Sequence, residues 1–278
     1  MAVAAVGLSS AAFAGQPFFF STGDPDGKIA TASGGANEPE TGDDFVLANQ
    51  TRLIGGSFTG LLTGPTGAAV PLSSIASVGV EFYRVFPADS NQPPSGKVPT
   101  RMNSPSDVAF AEFTTTDSSL SASASIPVGS FSVLNSVVNG INPSPGQFTG
   151  GEGPVTGQEV HINFTFTTPE DLAAGQYFFV PSVELSGNGD TFLWLSAPKP
   201  IVAPGTPFNP DLQTWIRNEP LQPDWLRVGT DITHQGPFNA AFTLVGTIPE
   251  PTSWAMMILG FGAMGAVLRR RPRAALSA

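Results

Sequence analysis

Apolar and polar residues alternate with a repeat of two along much of the chain between residues 15 and 247. The clearest run, residues 160–167, has the sequence VHINFTFT, and residues 77–82 and 119–126 repeat the pattern. Such alternation is typical of an antiparallel strand with one buried face and one polar face. Further strand candidates lie near residues 45–48, 52–62, 108–116, 130–138, 176–185, 191–196 and 238–246.

The spacing of these runs predicts an all-β fold. The candidates are short and are separated by clusters of Gly, Pro, Asn and Asp, as in an antiparallel β-sandwich or jelly roll. The chain has 31 Gly and 27 Pro for its turns, and 21 Phe for its core. Helical periodicity is confined to the C-terminal tail, so we expect a single β domain over residues 15–247.

Three local patterns refine this prediction. Gly175 and Tyr177, just ahead of an apolar run, resemble the tyrosine corner of Greek-key sandwiches, in which the phenol bonds to the chain a few residues upstream. Residues 168–171 fit one helical turn with Thr168 as its N-cap and Pro169 at its first position. Residues 207–226, rich in Pro, fit a long connection with at most a short helix.

The N-terminus has the character of an export signal. Residues 2–14 are small and apolar and end in Ala12-Phe13-Ala14, a pattern that signal peptidase cleaves, which predicts Gly15 as the mature N-terminus. No basic residue precedes the apolar run, so we expect the true start to lie upstream and residues 1–14 to be a signal peptide with a truncated basic region. The alternative is a buried strand or short helix.

The C-terminus, residues 248–278, has three parts in order. Pro249-Glu250-Pro251 is followed by the apolar run 254–268, which begins at Trp254, and then by Arg269-Arg270-Arg271. As a helix, 15 residues extend roughly 22 Å, so we expect a short transmembrane helix that only just inserts. The arginines would stay in the cytoplasm and place the body outside the inner membrane.

This three-part tail resembles the PEP-CTERM sorting signal of exported bacterial proteins. The resemblance implies processing near the Pro-Glu-Pro by an exosortase, a membrane protease-transpeptidase, and an association with exopolysaccharide and biofilm. An ordinary single-span anchor is the alternative. The body, in its segments 21–28, 150–157 and 192–198, is similar to an uncharacterised group of exported bacterial proteins, which implies no activity.

Charge and composition exclude several kinds of function. Residues 15–247 hold 8 basic and 21 acidic side chains, a net charge of −13, which disfavours nucleic acid and anionic lipid as partners. The chain has no Cys, which excludes disulfides, thiolate catalysis and cysteine-bound zinc. The phosphate-binding and nucleophile-elbow motifs do not occur. Two His, His161 and His234, are weak candidates for a metal ligand or catalytic base.

Carboxylates are the remaining reactive groups. Glu81, Glu159 and Glu184 lie on or beside strands and fit a solvated face, although a facing pair would permit glycoside hydrolysis. A dense acidic group in a Gly/Pro-rich region is a candidate calcium site, since calcium prefers flexible oxygen ligands. The alternative is a solvated acidic loop. The candidate ligands are Asp24, Asp26, Asp43 and Asp44.

Trp215 and Trp225 are candidates for stacking on a sugar, with core packing as the alternative. No catalytic residue is assigned, and we expect a non-enzymatic structural or binding protein of the cell envelope or extracellular matrix. The alternatives are a carbohydrate-active enzyme on a sandwich scaffold and a calcium-stabilised adhesion module. The expected partners are signal peptidase, exosortase, the inner membrane and polysaccharide, and the expected location is the cell surface or the exterior.

Overall fold

The computed structural model describes residues 15–36, 38–65, 69–91, 93, 95–138, 149–198, 212–249, 259–265 and 269. Within these residues the body is built of short and long strands. In chain order they are β1 (Gln16–Ser21), β2 (Ile29–Ala32), β3 (Glu40–Leu47), β4 (Thr51–Thr63), β5 (Ile75–Arg84), β6 (Ala111–Thr114), β7 (Leu120–Ser125), β8 (Phe131–Val133), β9 (Asn135–Val137), β10 (Val155–Leu172), β11 (Gly175–Leu185), β12 (Thr191–Ala197), β13 (Trp215–Arg217), β14 (Leu226–Arg227), β15 (Asn239–Ala240) and β16 (Phe242–Ile248).

The strands form two sheets. The first follows the order β1-β16-β4-β12-β2-β9, with β10 on the other edge of β4, β7 and β8 on β10, and β15 on β12. The second follows the order β14-β13-β3-β11-β5-β6. Among the described strands every pairing is antiparallel except that of β2 with β9. This arrangement confirms the all-β, sandwich-like fold.

The core between the sheets is filled by phenylalanine. Phe179, on β11 of the second sheet, stacks on Phe242 of β16 with ring centroids 4.9 Å apart. It also contacts Phe58 of β4 and Phe82 of β5. Aromatic rings bury large apolar areas and gain further from such contacts, so a chain with 21 Phe holds this core without any disulfide.

Strand β10 shows how the alternating pattern becomes structure. Its even-numbered apolar residues, including Val160 and Ile162, are buried in the core, while β4 and β7 flank it on either side. The register with β4 shifts between Thr165 and Glu170, so the intervening residues form an irregularity. The predicted helical turn at 168–171 is therefore wrong, because Pro169 is accommodated within this irregular stretch of an extended strand.

The predicted tyrosine corner is present. The Tyr177 hydroxyl donates a hydrogen bond to the Ala173 carbonyl at 3.1 Å. A Cβ at Gly175 would lie 3.1 Å from the Tyr177 ring, so glycine lets the ring fold back over the chain. The bond fixes the turn between β10 and β11.

The Pro-rich connection contains more structure than the sequence predicts. Its described part, from residue 212, forms β13, a 3₁₀ turn at Glu219–Leu221 and β14, and it is followed by a π-helical turn at Val228–Ile232. β13 pairs with β3 and extends the second sheet. The segment then covers the outer face of that sheet, where it meets Phe178 and Val180. Residues 207–211 lie outside the described residues.

Candidate functional site

The two ends of the body lie side by side. β16 sits between β1 and β4 in the first sheet, and β1 pairs with it so that Gln16 faces Ile248. A Cβ at Gly15 would come within 2.6 Å of the Ile248 carbonyl oxygen, so the close approach favours glycine there. The predicted mature N-terminus is thus adjacent to Pro249, where the Pro-Glu-Pro begins.

Only part of the predicted sorting signal is described. Pro249 is exposed, and the helical residues 259–265 and Arg269 are exposed as well. Glu250, Pro251, Trp254, Arg270 and Arg271 lie outside the described residues, as do Ala12 and Ala14 of the predicted cleavage site. In the described part of the tail no helix has the length and apolar character needed to cross a membrane, so the predicted transmembrane helix is not supported there.

Comparison with known families assigns the tail. The PEP-CTERM protein-sorting motif matches residues 247–271, which span the end of β16, the Pro-Glu-Pro, the apolar run and the first arginines. No curated protein and no solved structure matches the chain. The chain therefore carries the sorting signal of an exported protein that an exosortase processes, as the sequence predicted.

The aspartates predicted as calcium ligands have partners within the protein. Asp43 and Asp44 are fully buried on β3, where Asp43 accepts from the Ala240 amide at 2.7 Å and Asp44 from the Leu212 amide at 2.8 Å. Asp26 accepts from the Ser196 hydroxyl at 2.5 Å and pairs with Lys28. The described residues contain no group of three or more His, Cys, Asp or Glu placed to hold a metal ion, so these aspartates are not gathered with Asp24 into a calcium site.

The tryptophans predicted to stack on sugar are in the interior. Trp215 is 1% exposed and Trp225 is 0% exposed, which leaves no ring face for a ligand. Both pack on the outer face of the second sheet, and their indoles donate to the carbonyls of Leu212 and Ser106. The stacking prediction is therefore wrong for both residues, because the connection that carries them folds over the sheet.

The same face holds a hydrogen-bonded network of two carboxylates, Glu40 and Glu81, with one tyrosine and one arginine. Of these residues, the sequence analysis named only Glu81. The Tyr83 hydroxyl lies 2.6 Å from Glu81 Oε2 and 3.0 Å from Glu40 Oε2. Arg217 donates to Glu40 through Nε at 2.8 Å and to the Tyr83 oxygen through Nη2 at 2.9 Å. Its guanidinium also stacks on Trp225, 4.2 Å from the ring centroid. β3, β5 and β13 each supply part of this network.

Burial sets the electrostatics of the network. It raises the pKa of Glu81 from 4.5 to about 7, an effect that the Tyr83 hydrogen bond opposes and the nearby Glu40 and Glu112 reinforce. Burial also raises the pKa of Tyr83. Glu81 therefore carries a proton below about pH 7, while Glu40 lies against Arg217. A protonated carboxyl beside an ion-paired one is an arrangement capable of acid-base chemistry.

A groove on the outer face of the first sheet gathers a second set of polar groups. Its volume is about 310 Å³. Its floor spans β4, β10 and β16, and its walls come from residues 21–25 and from Pro127. The polar side chains that line it are Ser21, Asp24, Ser57, Thr59, Glu159, His161 and Thr243. Three of the residues weighed in the sequence as candidates, Asp24, Glu159 and His161, thus meet at one place.

Some polar side chains of the groove are hydrogen-bonded to one another, whereas Glu159 is not. Ser57 and Thr243 join their hydroxyls at 2.7 Å, and the Thr59 hydroxyl lies 3.0 Å from His161 Nδ1. Glu159 is 7% exposed and forms no hydrogen bond or ion pair with the described residues. Its burial raises its pKa, which Asp24 raises further and His161 lowers. Glu184, the third carboxylate that the sequence placed on or beside a strand, instead accepts from the Gly35 amide at 2.9 Å.

Proposed function

We propose that the body is a non-enzymatic structural or binding component of the cell envelope or extracellular matrix, associated with exopolysaccharide. The observation that carries this proposal is the direct junction between fold and signal: the PEP-CTERM match begins at Thr247, within β16. Processing after Pro249 removes no strand of the two sheets, so the released or attached product keeps its whole core.

The aromatic interior supports a structural role. Phe179 and Phe242 close the space between the sheets, and Trp194 packs against both. A core filled in this way supplies much stability through apolar burial. Such a body suits an exposed location, where this chain must persist without a disulfide because it has no Cys.

Mass spectrometry of the termini in the native host tests the proposal. We expect a mature chain that begins at Gly15, lacks the arginine cluster, and is enriched in the exopolysaccharide fraction. A host without exosortase should retain the tail. Glu250→Ala should block processing, whereas Glu219→Ala, which alters an exposed Glu-Pro dipeptide in the body, should not. Full-length chain in the cytosol, or a mature chain absent from the surface and the medium, would contradict the proposal.

The Glu40–Glu81 pair favours a second candidate, a carbohydrate-active enzyme. Glu81 would protonate the leaving oxygen while Glu40 attacks the anomeric carbon, and water, deprotonated by Glu81, would then hydrolyse the glycosyl-enzyme and restore both groups. Hydrolysis of the producer's own polysaccharide by the purified chain, lost in Glu81→Gln and retained in Glu112→Gln, would support this candidate. Equal product release by all three proteins would remove it.

A further inference from the structure

The groove lined by Asp24, Glu159 and His161 is acidic, and this charge restricts the kind of ligand that it can bind. Two carboxylates line it and neither Lys nor Arg does, so the lining favours a cation over an anion. Glu159 has no hydrogen-bond or ion-pair partner among the described residues, and its carboxylate oxygens are not among the buried atoms left unpaired, so they reach the groove. A ligand that brings a positive charge or hydrogen-bond donors to Glu159 therefore gains a charge-assisted hydrogen bond there.

Metal ions do not fit this demand. Within the residues that the structure describes, no three His, Cys, Asp or Glu side chains are placed to hold a metal. The polar surface is instead spread over the floor of the groove, as hydroxyls from Ser57, Thr59 and Thr243. A ligand that matches this floor offers several hydrogen-bonding groups over its length rather than a single charge.

We propose that the groove binds a saccharide unit that carries a free amino group. The ammonium would lie against Glu159 and Asp24, and the sugar hydroxyls would bond to the Ser57–Thr243 pair and to Nε2 of His161, whose Nδ1 already contacts Thr59. A volume of about 310 Å³ is at the lower end of those of small-molecule sites. Recognition here does not require the body to lie in a matrix, so its failure would leave the proposed location unaffected.

The two histidines of the chain give a direct readout. The full chain, labelled at histidine, is titrated with glucosamine and followed by imidazole NMR at about pH 7, where an amine is largely protonated. We expect saturable shifts of His161 and none of His234, which lies outside the groove. N-acetylglucosamine and glucose should bind at least about tenfold more weakly, because one charge-assisted hydrogen bond is lost.

Variants inside and outside the groove test whether glucosamine binds there. Glu159→Gln should weaken glucosamine binding about tenfold and remove the preference over glucose. Glu170→Gln, on the same strand but outside the groove, should bind as the parent does. Thr243→Val tests the hydroxyl floor and should weaken glucosamine and glucose alike. Circular dichroism confirms that each variant folds.

Two results would overturn the proposal. One is the absence of any His161 shift with glucosamine below roughly 0.1 M, a concentration that detects even very weak sites. The other is equal affinity for glucosamine and glucose in the parent chain, which would show that the carboxylates do not contact the ligand. Either result would leave the terminal processing experiment unaffected.

Discussion

Carboxylates on the outer faces of the two sheets differ in the partners that the fold gives them. On the second sheet, Glu81 is covered by the segment from residue 212 and shares Tyr83 with Glu40 and Arg217. On the first sheet, Glu159 lines an open groove and has no partner among the described residues. The fold itself supplies the counter-charge on one face and omits it on the other. The comparison teaches that carboxylates at similar strand positions can be joined to a network within the fold in one sheet and left facing a groove in the other.

The largest effect is expected when the buried cation of the second sheet, Arg217, is removed. Arg217→Ala would leave Glu40 without its ion pair and Trp225 without the guanidinium on its ring. Truncating one partner of a buried pair costs about 3–5 kcal/mol. We expect a loss of that size in the free energy of unfolding, measured with urea. Arg52→Ala, which breaks an exposed ion pair with Asp171, is the control and should change little. A small effect of Arg217→Ala would mean that the network is solvated.

Glu81 makes the same face sensitive to pH. The unfolded chain releases this proton near 4.5, whereas the folded chain retains it to about 7. The folded state therefore binds more protons between these values, so stability falls as pH rises from 4.5 to 7 and the loss is complete above 7. It amounts to ~3 kcal/mol.

Glu81→Gln should abolish this part of the pH dependence. The amide oxygen still accepts from Tyr83 but does not ionise. We therefore expect the variant to exceed the parent in unfolding free energy by up to ~3 kcal/mol at about pH 8, and to show no such gain at about pH 4. Urea titrations at both pH values provide the measurement. Glu219→Gln, at an exposed position that is not among the groups shifting the pKa of Glu81, is the control. Parallel pH profiles of parent and Glu81→Gln would refute the assignment.

The smallest change in stability is expected for Glu159, in the groove on the first sheet. Burial raises the pKa of Glu159, so its ionised form opposes folding as pH rises past the ordinary value. Glu159→Gln should raise the melting temperature slightly at neutral pH, by less than Glu81→Gln does, because the groove admits water. Added glucosamine should raise the melting temperature of the parent and not that of the variant. A marked loss of stability in Glu159→Gln would show that the carboxylate has a structural partner.

The sequence predicted the long strands and missed β1, β2, β13 and β14. β5, β7 and β10 lie where the alternation places them, because one buried face dictates the pattern. β13 has only three residues, and it becomes a strand by pairing with β3, far away in the chain. Propensity within such a segment carries no signal of this pairing. The same long-range pairing buries Trp215, which explains why its role was predicted wrongly.

The sequence could predict the strand positions of single residues in the candidate sites, but not which of these residues meet. Alternation placed Glu81, Glu159 and His161 on strands, but Glu40 and Arg217 are 177 positions apart and meet only through sheet order. The groove likewise needs a wall from residues 21–25, after β1, against a floor from β10. The tail behaved differently. Its motif is contiguous in sequence, so it was recognised without the fold.

The pairing of β1 with β16 links translocation to folding. If the chain crosses the membrane from its N-terminus, the first strand to emerge finds its partner only when the last strand has followed it. Until then the backbone edge of β1 that pairs with β16 would face solvent. Completion of the sheet would then coincide with arrival of the Pro-Glu-Pro at the outer surface, so the exosortase would meet a substrate that has just finished folding.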